Sequence, residues 1–187
     1  METEASLKYT LGFVWCCETN EVLLLNRLKA PWMGRWNGVG GKLDKGEPPL
    51  ACIVRETEEE TGLTLDTYES RGQLLWDSRN YTTPVFSAPQ LMEVESSSEP
   101  TYVEVGGLYL FVAKVTKAQR DAYVTPRLLI EGILDWKPIS WITHPDNVGV
   151  VDNIRVFMTD ILNGSADDVY RVTYRNNILI DQTKTQH

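Results

Sequence analysis

Glu56, Glu59 and Glu60 stand at i, i+3 and i+4, a spacing that puts three carboxylates on one face if the segment is helical. Like charges at that spacing destabilise an isolated helix by roughly a few tenths of a kcal/mol per pair, so the cluster calls for something that offsets the repulsion. Hard oxygen ligands gathered this way suit Mg²⁺, with Mn²⁺ as the alternative, and magnesium commonly works through a few carboxylates plus substrate phosphates. A glutamate run by itself is equally well a solvated helix face. Here it is preceded at fixed offsets by Gly41, Glu47 and Arg55 and followed by Gly62 and Leu63. Chance is a poor account of that whole arrangement.

The elements that must position these groups are legible in outline. Lys8 to Cys17 reads as a strand, Glu18-Thr19-Asn20 as a turn, and Glu21 to Arg27 as a returning strand. Five glycines between Ala30 and Gly46 predict close backbone turns. Pro48 and Pro49 suit a helix entry, and the helix is expected over Leu50 to Thr61 with Gly62 as its stop. Leu50, Ile53, Val54 and Thr57 recur at helical spacing and are expected to face a core. Strands are expected over Glu69 to Trp76 and Leu108 to Val115. Asp77 to Gly107, rich in Pro and Ser, is expected to be a long excursion or insertion of about 77–107. Ile133 to Trp141 reads as extended, interrupted by Pro138. Val151 to Leu162 reads as a helix, and Asp168 to Tyr174 with Ile178 to Asp181 as a terminal hairpin. No linker divides the sequence, so residues 1–187 are expected to form one domain of mixed α/β sandwich architecture.

At the glutamate segment the chain resembles the Nudix box, G-x5-E-x7-R-E-U-x-E-E-x-G-U, with U a bulky aliphatic residue. Gly41, Glu47, Arg55, Glu56, Glu59, Glu60, Gly62 and Leu63 fall on the pattern, and Thr57 stands where the family has Ile, Leu or Val. The resemblance implies an α/β/α sandwich with a mixed sheet and a loop–helix–loop catalytic motif. It implies that Glu56, Glu59 and Glu60, with Gly41, hold the metal. Glu47 and Arg55 would support them, Arg55 fixing the rotamer of a box glutamate; the plain alternative for Arg55 is a surface ion pair.

The box entry, Gly34-Arg35-Trp36-Asn37-Gly38-Val39-Gly40-Gly41-Lys42, is similar to that of MutT-type enzymes, which hydrolyse oxidised purine nucleoside triphosphates such as 8-oxo-dGTP to a monophosphate and pyrophosphate. That likeness makes Asn37 a reader of the base and Glu131 a late metal ligand or a base acting on water; Glu131 could equally be an exposed loop carboxylate. Asp152 matches an acid that faces the purine, and is also placed as a routine helix N-cap. Those relatives carry two adjacent acids after a tryptophan, where this chain has Val150-Val151-Asp152-Asn153. Trp32 is read as lining the pocket and Trp36 as structural. Arg27 and Lys42 could meet phosphates, while Lys29 and His144 are ordinary surface groups by default.

Composition bounds the alternatives. A formal net charge of -8 argues against duplex nucleic acid as a partner and leaves a small anionic nucleotide approached through a cation. No apolar run approaches the ~20 residues of a membrane span, and Met1 to Ala5 lacks a secretory pattern; a cytoplasmic or nuclear protein, monomer or homodimer, is expected. Cys16, Cys17 and Cys52 are expected to be buried free thiols. Two rival functions remain. One is another Nudix activity, hydrolysis of a dinucleoside polyphosphate or other nucleoside diphosphate-linked compound, with Tyr81 as a loose counterpart of the tyrosine that dinucleoside polyphosphate hydrolases carry. The other is a non-catalytic nucleotide-binding module, which would have no need of a metal cluster.

Overall fold

The computed structural model describes residues 7–81 and 100–186. The chain order is β1 (Leu7–Cys16), β2 (Glu21–Arg27), β3 (Trp36–Asn37), α1 (Pro49–Thr61), β4 (Tyr68–Asn80), β5 (Tyr102–Lys114), α2 (Lys117–Ala122), β6 (Arg127–Leu128), β7 (Gly132–Pro138), α3 (Ile139–Ile142), α4 (Asp152–Asn163), β8 (Asp168–Arg175) and β9 (Ile178–Gln186). One mixed sheet runs β6-β7-β2-β1-β5-β4-β8-β9, with β3 against β2. The β1–β5 and β4–β8 pairs are parallel, and their neighbours are antiparallel.

Alternation along the central strands explains the layers. On β1 Leu11 and Phe13 face one way, into a core shared with Ile154, Phe157, Met158 and Ile161 of α4. Val14 and Cys16 face the other way, into a core shared with Ile53 of α1. Both faces of the sheet are therefore apolar, as a strand buried on two sides requires. The α/β/α sandwich follows from that pattern. Each fully buried aliphatic side chain stabilises the fold by about 1.5–3 kcal/mol relative to exposure.

Several local expectations need correction. The helix α1 turns Cys52, Ile53, Thr57 and Thr61 inward, whereas Leu50 is exposed. The inward face runs through those four residues, and Leu50 lies on the flank with Ala51, Val54 and Glu58 that borders a surface depression. Thr57 is fully buried and its hydroxyl meets Tyr68 Oη at 2.6 Å, so the polar departure from an aliphatic pattern is matched by a partner. Cys17 is exposed, unlike Cys16 and Cys52, because it follows the last residue of β1 and opens the turn. Asp77 to Asn80 and Tyr102 to Gly107 belong to the paired β4–β5 ribbon, so the excursion is shorter than its composition implied; its centre, 82–99, lies outside the described residues, as does 1–6. Pro138 ends β7, and Ile139 to Ile142 is one helical turn rather than strand. Asn176 and Asn177 both have positive φ, 48° and 62°, which suits the two-residue hairpin turn between β8 and β9.

Candidate active site

The box loop reaches the sheet through β1. Thr10 N–H donates to the Gly41 carbonyl at 2.8 Å and Gly12 exchanges bonds with Val39, which pins the glycine segment beside Glu56 and Glu60 of α1. That helix enters at Pro48 in extended conformation and stops at Gly62, whose φ of 73° is the left-handed cap that glycine adopts without strain. Gly41 matters for a different reason: any Cβ there would collide with the Glu56 carboxylate. Its carbonyl, proposed as a ligand from sequence, already accepts from Thr10 and keeps one lone pair.

Arg55 organises the loop. Its Nε and Nη2 donate to the two Glu47 oxygens, both at 2.9 Å; Nη1 donates to Glu56 at 2.9 Å and Glu59 at 3.3 Å; Nη2 also reaches the Lys42 carbonyl. A planar fork bound at both edges fixes its partners far better than an ordinary surface pair. The Arg55 guanidinium and the Asp44 N–H hold the Glu47 carboxyl down at about 2. Arg55 itself is raised by Glu47 and Glu56.

Glu60 is treated in the opposite way. It accepts one hydrogen bond, from Gly40 N–H at 2.9 Å. Burial pushes its carboxyl up to about 7; Gly40 pulls against this, and the nearby charges of Glu56 and Glu131 add to the rise. The influence of Glu131 places that late acid within electrostatic reach of Glu60, although its carboxylate pairs with Lys29 Nζ at 3.2 Å on the surface. Arg27 also faces Glu60 electrostatically while donating to the Pro31 carbonyl. Glu59 is 60% exposed, and the Lys42 side chain lies on the surface.

Among the described residues, no three carboxylates converge within ligating distance of one point; Glu56 and Glu59 are drawn to Arg55, and Glu60 to Gly40. The donor set nevertheless fits a divalent cation. Glu56 occupies the space a Cβ at Gly41 would fill, and a largely buried Glu60 has two acidic neighbours raising its charge cost.

A second cluster lies at the other end of β3. Trp36 exchanges backbone bonds with Gly149 and Val151, which brings the glycine loop alongside the start of α4. Asn37, paired with Leu25 across β2, accepts from Gly38 N–H through Oδ1. Asp152 is not an N-cap: Val151 holds that position, and the Asp152 carboxylate takes Arg35 Nη1 at 3.1 Å. Trp32, with φ of 66°, stacks at a tilt on Tyr174 with ring centroids 6.0 Å apart and lies beneath the Arg35 guanidinium. Trp36 packs edge-on against Trp141 and under Lys137, a structural setting. Tyr81 lies under Arg175, its N–H bound to Asn176.

Arg35, Asn153 and Tyr174 join this cluster without having been singled out from sequence as site residues. Arg35 carried a signal, a guanidinium two residues before Asn37. Tyr174 carried none, because only the β4–β8 pairing brings the terminal hairpin here. Two surface depressions, one lined by Gln73, Asp168 and Arg171 and one by Leu50, Val54 and Asp66, lie away from both clusters.

Comparison with known proteins places this geometry in context. The sequence profile of the NUDIX domain matches residues 8–126. The chain is 35% identical over 86 residues to an oxidized purine nucleoside triphosphate hydrolase of Mus musculus, which covers 46% of this chain and 49% of that protein. It is 36% identical over 67 residues to the Danio rerio protein of the same name, covering 36% of this chain and 43% of that one. The matches thus span about half the length of these curated relatives, or less. A MutT protein from Bacillus halodurans shares the fold at 20% identity, with a TM-score of 0.65 over 94% of this chain and 95% of the other.

Proposed function

The chain belongs to the Nudix family, and from that premise we propose that it is a Mg²⁺-dependent pyrophosphohydrolase of nucleoside triphosphates, with an oxidised purine such as 8-oxo-dGTP as the substrate class. The observation that carries this reading is the packing of α1 against the glycine loop, where the largely buried Glu60 accepts from Gly40 N–H at 2.9 Å and the Glu56 carboxylate fills the space beside Gly41, with Asn37 and the Trp32–Arg35–Asp152 cluster at the same loop. The named activity of the rodent and fish relatives supports the choice of base.

Glu56, Glu59 and Glu60, with Glu131 and the Gly41 carbonyl, are the groups that would hold the cation. A bound divalent ion supplies charge neutralisation at phosphate oxygens and acidification of water. The chain's own residues do the rest. Arg55 fixes the Glu56 and Glu59 rotamers through its fork, and Glu47 fixes Arg55. Arg27 and Lys42 offer positive charge to the phosphate chain. Water adds to phosphorus as the bridging phosphoanhydride P–O bond breaks, giving nucleoside monophosphate and pyrophosphate.

A panel of normal and oxidised nucleoside triphosphates, assayed with Mg²⁺ and with excess EDTA and followed by product identification, tests the proposal. Oxidised purine triphosphates should give the highest kcat/KM, monophosphate and pyrophosphate as products, and no turnover in EDTA. Diphosphate and orthophosphate as products, full activity in EDTA, or preference for a dinucleoside polyphosphate would overturn it.

A further inference from the structure

The sheet ends at β6, and the side chains that stand open at that end are apolar. Leu129 N–H donates to the Gly132 carbonyl at 2.8 Å, which closes the β6–β7 hairpin on a two-residue tip, Ile130-Glu131. Leu28 N–H donates to the Glu131 carbonyl at 3.0 Å and ties the tip to the segment that follows β2. Side chains alternate across a strand, and Leu134 lies in the core on the α1 face, so Ile133 points to the α4 face. Leu128 stands opposite Ile133 in register and shares that face. The helix α4 packs against β5 and β9, away from this end of the sheet, and leaves both side chains open. Asn26, across from Ile133, donates through Nδ2 to the Gly34 carbonyl at 2.9 Å, which brings Met33 to the same corner. Thr125 donates to Asp135 of β7 at 2.8 Å and sets Val124 beside β6. Ile130 is 84% exposed and Leu128 73%; Val124, Met33, Leu28 and Ile133 are exposed as well.

We propose that this corner is a homodimer interface, covered by the same corner of a second copy of the chain across a two-fold axis. Area and charge both point to that occupant. The six side chains leave on the order of 700 Å² of apolar-residue surface open, more than the ~300–600 Å² of the largest patch on a typical monomer. Two copies set face to face bury about 1,400 Å² from these residues alone, within the ~1,200–2,000 Å² of a stable interface. The chain carries a formal net charge of -8, so two copies repel one another through most of their surface. Within 28–33 and 124–133 the charged residues are Lys29, Arg127 and Glu131, a local sum of +1, and Glu131 is already paired with Lys29. The approach of two acidic chains is therefore least opposed here, and a strongly charged partner of either sign finds little to pair with. An apolar patch complements its own copy, as the isologous contact of a two-fold dimer requires. Because β6 spans only Arg127–Leu128, the contact is made by side chains rather than by continuation of the sheet, and burial of apolar surface drives it.

Sedimentation equilibrium of the full chain over about 1–100 μM tests this, with Leu128→Glu, Ile130→Asp and, at the opposite edge of the sheet, Ile178→Asp. The wild type should be a dimer in that range, and its melting temperature should rise with protein concentration. Leu128→Glu and Ile130→Asp each bring two like charges into the two-fold contact and should weaken the dimer by about a hundredfold or more. Their circular dichroism should match the wild type, because both positions face solvent in the single chain. Ile178, on β9, is exposed too, and Ile178→Asp should leave the dimer intact, which separates this corner from the other free edge of the sheet. A wild type that is monomeric throughout, two corner variants as dimeric as the wild type, or a dimer lost only in Ile178→Asp would overturn the proposal.

Discussion

Around Arg55 the polar groups are closed on one another: Glu47 through both oxygens, Glu56, Glu59 and the Lys42 carbonyl all meet one guanidinium. Around Tyr174, whose ring meets Trp32, the buried Tyr174 hydroxyl and Asn153 amide oxygen have no hydrogen-bond partner among the described residues. Both regions border the same glycine loop, yet they store free energy in opposite ways. The box spends its hydrogen bonds on holding carboxylate rotamers, so that the groups acting on the phosphate chain need little reorganisation. The cluster around Tyr174 leaves bonds unmade among the described residues and so has most to gain from a ligand that completes them. Rate should therefore be set at the first region and choice of base at the second.

The largest effect that could break this division lies in the box. Glu56→Gln, Glu59→Gln and Glu60→Gln should each lower kcat by about 10²- to 10⁴-fold, with the ratio of kcat/KM between bases little changed and the fold retained by circular dichroism. Near-wild-type turnover in all three would reduce the run to a solvated helix face. A large change in base preference in any of them would show that the two regions are not separable.

A medium effect separates the two acids that bracket the box. Glu60 has its carboxyl raised to about 7, chiefly by burial. Its folded-state value lies above the unfolded one, so the folded state binds the proton more tightly. The contribution to stability is then present below about 4.5 and is lost as pH rises through about 7. Glu47 has the reverse sign: with its carboxyl at about 2, chiefly through Arg55, it contributes above the unfolded value and loses that contribution as pH falls toward 2. In EDTA, Glu60→Gln should thus be more stable than wild type at pH 8, by at most about 3 kcal/mol, and equal to it at pH 4. Denaturant melts at the two pH values measure this. A variant less stable than wild type at pH 8 would mean that the Gly40 bond outweighs burial.

How much of each region was legible in sequence follows from the same contrast. The box is one contiguous stretch in which helical spacing puts Glu56, Glu59 and Glu60 on one face, while the supporting roles of Glu47 and Arg55 came from resemblance; both main helices and the terminal hairpin were readable from periodicity and turn residues. The base side is assembled from the glycine loop, the start of α4 and β8, which only the sheet order brings together. Local periodicity has no access to that. Asn37 and Asp152 came from resemblance. Arg35 as the partner of Asp152, and the unpaired Tyr174, required the pairing of distant strands. Leu50 was misassigned because the apolar spacing of α1 is wider than the stripe of the helix that is buried.

The smallest effect tests whether the box is closed throughout, including at Thr57, its one departure from the family pattern. Restoring an aliphatic residue by Thr57→Val preserves shape and would be stabilising if burial of apolar surface decided the matter. In this chain the Thr57 hydroxyl meets Tyr68 Oη at 2.6 Å, and Tyr68 is itself 8% exposed with its phenol raised to about 12 by burial. Thr57→Val deletes one partner and leaves the other buried and unpaired, a loss of about 1–3 kcal/mol. Tyr68→Phe alone leaves the Thr57 hydroxyl unpaired instead. The double variant Thr57→Val with Tyr68→Phe removes both, and replacing both members of a buried pair by apolar groups of the same shape is nearly neutral. The cycle should therefore show a coupling of about 1 kcal/mol or more by chemical denaturation, with base preference unchanged because the pair lies on the α1 side of the sheet. If Thr57→Val is instead more stable than wild type, the hydroxyl pair holds nothing in place, and the box tolerates an unpaired group as the base side does.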